Sequence, residues 1–135
     1  MMKKSLLLLA ALVLGGCATH WPESALLNPQ VIPSNQQYYS GNRITMEGVD
    51  KREAAYVFSI KKKEKAPVLV NSSQPLNSLL AEKLAEGLRS QGLEVGNSGT
   101  TNLTLAISTA AVTVEEKTFT YVTKSRVSLQ VIADF

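Results

Sequence analysis

Cys17 is the residue whose type and setting point most directly to chemistry. It is the only cysteine of 135 residues, so no internal disulfide can form and the odd thiol needs another role. It follows Gly15 and Gly16, at the end of an apolar run from Leu6 to Leu14. Small residues ahead of it would let an extended backbone enter a peptidase cleft. A thiol at the first position after the cut is a nucleophile that can accept a diacylglyceryl group. Other reaction chemistry is scarce. His20, the sole histidine, has no fixed partner for a ligand or general-base role. With the one cysteine spent, no zinc-ligand spacing exists. There is no Gly-x-Ser-x-Gly elbow. Gly96-Asn97-Ser98-Gly99 lacks the lysine and following helix of a phosphate cradle and reads as a plain turn. The expectation is a chain with no catalytic residues, metal or cofactor, and not an enzyme.

Two polar groups are candidates for recognition. Asp50 and Arg52, two residues apart in a polar break, can form a partner-facing ion pair, or a turn in which Asp50 accepts backbone N–H bonds. The run Lys61-Lys62-Lys63-Glu64-Lys65 is either a solvated hairpin tip or a contact for anionic lipid. No interleaving of aromatic and basic residues suggests nucleic acid.

The segment before Cys17 must deliver it. Met1, Met2, Lys3 and Lys4 form a positive start, and Leu6–Leu14 is nine residues long. At about 1.5 Å per helical residue, that run cannot cross a hydrocarbon core of about 30 Å. It suits the apolar core of a signal peptide. Leu14-Gly15-Gly16-Cys17 resembles the lipobox of bacterial lipoproteins, with cleavage between Gly16 and Cys17. Residues 1–16 are then a signal peptide, and Cys17 carries acyl and diacylglyceryl groups into a bilayer. Ala18 follows, where an aspartate would resemble an inner-membrane retention signal, so the expected location is the outer membrane, facing the periplasm. Removing Lys3 and Lys4 leaves twelve basic and eleven acidic side chains, so the basic balance of the whole chain says nothing about nucleic acid.

Residues 17–42 read as a lipid anchor and flexible tether. Pro22, Pro29 and Pro33 stand among Asn, Gln and Ser, with no helical or strand period. From Arg43 the alternation of Ile44 and Met46 with Thr45 and Glu47 predicts a strand. Ala55–Ile60 and Val68–Val70 flank the charged turn and predict a hairpin. Leu76, Leu79, Leu80, Leu84 and Leu88 make one apolar stripe on a helix that Ser73 or Gln74 can cap, with Pro75 at the first helical position, and that Gly92 closes in a left-handed cap, with Leu93 folding back. Two long strands follow. In the first, Leu103, Leu105 and Ile107 alternate, but Val112 and Val114 are out of phase, which predicts a β-bulge near Ala110-Ala111. The second, Phe119 to Phe135, reads as a half-buried antiparallel strand. The expected fold is α+β: an antiparallel sheet of five or six strands with one amphipathic helix on one face, spanning residues 43–135.

Ile44-Thr45-Met46-Glu47-Gly48-Val49-Asp50-Lys51-Arg52 resembles the strand and Gly-x-Asp-x-Arg segment of the YajG-type lipoprotein family. Pro75-Leu76 through Gly92-Leu93-Glu94-Val95-Gly96 resembles its leucine-rich helix and closing turn, and Asn102–Val114 with Phe119–Ala133 its two long strands. The resemblance spans residues 40–135 and the lipobox. It implies a lipid-anchored envelope protein and supplies no reaction. Relatives run on into a further strand and a second helix, so the domain here is expected to be C-terminally truncated. That agrees with the physical reading, in which one helix covers only part of such a sheet. The function expected is a non-enzymatic binding or accessory domain with an envelope protein, lipid or glycan partner. The alternatives are a structural envelope lipoprotein, a truncated product that does not fold, or, least favoured, an envelope hydrolase.

Overall fold

A computed structural model describes residues 22–135. Gly16, Cys17, Ala18, His20 and the segment 1–16 read as a signal peptide lie outside the described residues. Among the described residues seven strands form: β1 (Ser24–Ala25), β2 (Arg43–Asp50), β3 (Tyr56–Lys61), β4 (Val68–Ser72), β5 (Glu94–Val95), β6 (Thr101–Glu116) and β7 (Tyr121–Asp134). The helix α1 (Leu76–Arg89) stands between β4 and β5. The strand order is β1-β4-β3-β6-β2-β5, and β7 pairs with β6 off that path.

The sheet is curled and mixed, which corrects the expected antiparallel sheet of five or six strands with a helix on one face. Only β3–β4 and β6–β7 are antiparallel. The pairs β1–β4, β2–β5, β2–β6 and β3–β6 are parallel. The polar break after Asp50 does not reverse the chain. β2 lies along the first half of β6, from Ile44↔Thr101 to Asp50↔Ile107, and β3 resumes in the same direction along the second half, from Phe58↔Val112 to Lys61↔Glu115. The hairpin expected across the lysine turn does form, as β3–β4.

The helix takes the leucine stripe inward only in part. Leu76 and Leu79 join Val57 and Ile107 in the core, with Leu27, Phe58, Leu80 and Ala110 packed against them. Burying each large side chain contributes about 1.5–3 kcal/mol. Leu84 and Leu88 are half-buried, and Ala85 is the buried residue of the last turns. Neither Ser73 nor Gln74 caps the helix: Pro75 is itself the N-cap, and no side-chain hydrogen bond closes that end. The other end matches expectation. Gly92 has φ +90°, the Gly92 N–H donates to the Arg89 carbonyl at 3.0 Å, and the Leu93 N–H donates to the Leu88 carbonyl at 3.2 Å, which also accepts from the Gln91 N–H at 3.0 Å.

The predicted bulge lies at Ser108, where the β6–β7 register slips between Ile107 and Thr109. Leu105 and Ile107 stand opposite Val131 and Leu129, and past the bulge Ala110 stands opposite Val127. The extra residue therefore keeps the odd-numbered apolar residues before it and the even-numbered ones after it on one face. β7 corrects the half-buried reading: every residue from Tyr121 to Asp134 is exposed. α1 packs on β2, β5 and β6, so the apolar alternation of β7 faces no covering layer among the described residues.

Residues 22–42, read as part of a tether, make specific contacts. β1 adds an edge strand beside β4, Leu27 reaches the core, and Val31 lies against Gly87. The Ser34 N–H donates to Ser90 Oγ at 3.2 Å, and the Tyr39 N–H to the Gln91 carbonyl at 3.0 Å. The segment thus follows α1 from its first turn to its last before entering β2. Three prolines restrict the unfolded chain, which lowers the entropy cost of laying down such a strap.

Candidate functional site

The interruption between β2 and β3 positions Asp50 and Arg52. Asp50 is the last residue of β2 and the Lys51 N–H bonds the Ile107 carbonyl at 2.8 Å, so the chain leaves β6 just beyond that point. Arg52 folds back. Its Nε donates to Asp50 Oδ1 at 2.9 Å and its Nη2 to Oδ2 at 2.7 Å, a two-pronged pairing. Its Nη1 reaches the carbonyls of Ala55 and Tyr56 at 3.4 and 3.3 Å, and its N–H donates to Asp50 Oδ1 at 3.1 Å. The Arg52 side chain is 8% exposed and that of Asp50 31%. The two candidates are brought together and spend their hydrogen bonds on each other and on the loop backbone.

The Arg52 side-chain hydrogen bond holds the Asp50 carboxyl below the usual carboxylate range; burial opposes this, while the Arg52 N–H and charge reinforce it. Arg52 is in turn raised by its bond to Asp50, against burial. Both stay charged near neutral pH and buckle residues 50–56 into one shape.

Beside the buckle, Ser108–Ala111 of β6 have no partner from β2 or β3 in the register. A cavity of about 370 Å³ opens there, lined by Lys51, Arg52, Glu53, Ala54, Tyr56 and Ser108–Ala111. Bulge and strand gap meet at the same stretch of β6. The lining offers hydroxyl, ammonium and carboxylate groups. No histidine or cysteine, and no cluster of acidic residues, His and Cys able to hold a metal, occurs among the described residues. These lining groups can hydrogen-bond a bound molecule.

Sequence reasoning passed over two features. Gly48 faces α1: a Cβ there would overlap the Asn77 carbonyl, and Asn77 Nδ2 donates to the Gly48 carbonyl at 3.0 Å. A glycine at an inward position of an alternating strand is the signal for such an approach. The second is the turn at Phe119: expected to open the last long strand, this residue instead stands 95% exposed in the β6–β7 turn, beside Thr118, which accepts from Lys63 Nζ at 2.9 Å. No sequence signal pairs those two turns, since their meeting depends on β3 lying parallel to β6.

No helix among the described residues is long and apolar enough to cross a membrane. The model of a family described as uncharacterized lipoprotein matches residues 29–135. No curated protein and no solved structure matches the chain.

Proposed function

The chain belongs to the YajG-type family of uncharacterized lipoproteins, and on that premise we propose that it is a non-enzymatic binding module, anchored by lipid on Cys17 to the outer membrane and facing the periplasm. Its partner on this reading is an envelope protein. The observation that carries it is β7. All 14 residues are exposed, and Tyr121, Val122, Val127, Leu129, Val131 and Ile132 remain 38–65% exposed. Among the described residues, β6 is the strand paired with it. An open edge offers backbone N–H and C=O groups to an added strand, and the apolar side chains give that strand a surface to pack on. The lipobox-like Leu14-Gly15-Gly16-Cys17 supports the anchor, and Ala18 supports the outer membrane.

The test is a photoactivatable side chain at Leu129 in intact cells, with Glu82 on the wet side of α1 as control. A discrete adduct to one envelope protein from position 129, absent from position 82, is expected. A chain that gives no adduct along β7 does not use this strand as its binding surface.

A further inference from the structure

Parallel pairing of β3 with β6 brings two turns to one end of the sheet. Lys61 is in register with Glu115, so the chain leaving β3 through Lys61–Lys65 lies beside the chain leaving β6 through 115–120. Lys63 Nζ bonds Thr118 Oγ1 and ties them together. Lys61, Lys62, Lys63, Lys65, Lys117 and Lys124 gather there with Glu64, Glu115 and Glu116, six cations against three anions. Lys117 hydrogen-bonds Glu115 at 2.5 Å, and it holds that carboxyl below its usual range, helped by the charges of Lys124 and Lys61. Among these lysines Phe119 stands almost fully in solvent.

The N-terminal strand leads back to the same end. β1 runs parallel to β4, with Ser24 opposite Asn71, so the chain upstream of Ser24 heads toward Val68 and the lysine turn. Pro22 lines an apolar hollow of about 320 Å³ with Ile60 and Val114, the last apolar residues of β3 and β6 before the turns. Cys17 is five residues before Pro22. At no more than about 3.6 Å per residue it lies within about 18 Å of it. The far end of β6, at Thr101, is 13 residues from Val114, roughly 43 Å along the strand at about 3.3 Å per residue.

We propose that this end of the domain docks on the anionic headgroups of the leaflet that holds the anchor, with the lysines on lipid phosphates and Phe119 at the headgroup–acyl boundary. The proposal rests on the reading of Cys17 as lipidated. Exposed lysines beside an exposed aromatic ring form a surface complementary to an anionic interface. Each lysine near such a surface strengthens association about fivefold, and salt screens the effect. Docking stands the long axis of β6 away from the membrane and turns the opposite end of the sheet, with Gly41–Arg43 and Ser98–Thr100, toward the periplasm.

The test uses the full lipidated chain with Phe119→Trp in a Trp21→Phe background, in vesicles of phosphatidylcholine with or without phosphatidylglycerol. The introduced indole is expected to shift to shorter emission wavelength and to resist aqueous quenchers several-fold better in anionic vesicles. Both effects should disappear at high salt and weaken about 25-fold in apparent association when Lys61→Gln and Lys65→Gln are combined. An indole equally open to quencher in both vesicle types overturns docking. The salt arm needs no lysine variant, so misfolding cannot mimic the result. Mass spectrometry of Cys17 and flotation with either lipid report the anchor separately. If Cys17 carries no lipid, the same protein added from solution to anionic vesicles still decides whether this end docks.

Discussion

Gly48 of β2 lies directly beneath the Asn77 backbone carbonyl of α1, and Asn77 returns a side-chain hydrogen bond to the Gly48 carbonyl at 3.0 Å. Ala81, one turn on, faces the same missing Cβ. The close crossing brings Leu76 and Leu79 down to Ile107. Gly48→Ala must lift the helix or shift the strand, and overpacking of this kind costs about 1–3 kcal/mol. The expected result is a lower denaturation midpoint, with Gly87→Ala, where an added methyl meets only Val31 Cγ1 at 3.4 Å, changing it less.

The Asp50–Arg52 buckle predicts a pH-dependent stability. Arg52→Ala removes charge-assisted hydrogen bonds of about 1.5–3 kcal/mol. Asp50 has a folded-state pKa below its unfolded value of about 3.9, so its contribution is present above that value and is lost as pH falls through the folded pKa. The stability difference between the parent chain and Arg52→Ala should therefore stay level near neutral pH and shrink below about pH 4. Denaturant titrations at several pH values check it; a difference that does not change down to pH 2 would contradict the assignment.

Ser108 is the extra residue of the bulge, so its removal restores a regular β6–β7 ladder without turning any later residue over. Deleting Ser108 should cost no more than an ordinary substitution, about 0.5–3 kcal/mol. Deleting Thr104, in the regular part of β6, would reverse the faces of the residues on one side of the cut and is expected to abolish folding. Cooperative melting of the first variant and its absence in the second is the comparison to make.

Cys17→Ala should leave an uncleaved precursor without acyl groups. Intact mass and metabolic labelling with a fatty acid read both properties. On sucrose gradients the parent protein should travel with outer-membrane markers, and recovery only with inner-membrane markers would refute the location proposed from Ala18. A single acyl chain binds marginally, so stable anchoring calls for more than one chain or a second contact such as the lysine end.

Much of the local structure is written in the residues. The leucine spacing marks α1, Gly92 marks its end, and the phase slip between Ile107 and Val112 marks the bulge, because each is a short-range geometric requirement. The apolar run ahead of Cys17 is likewise a local signal. Alternation, by contrast, fixes which face a residue takes but neither the partner strand nor its direction. That is why Ile44–Asp50 and Tyr56–Lys61 gave no sign of lying end to end along β6, and why the sheet was expected to be antiparallel. β7 shows the same limit: its pattern is that of a covered strand, yet only the placement of α1 on β2, β5 and β6 leaves it exposed among the described residues. Asp50 and Arg52 were legible as a polar pair; their mutual closure, the cavity beside them and the meeting of the two lysine-bearing turns depend on long-range pairing through β6, which tertiary structure alone sets.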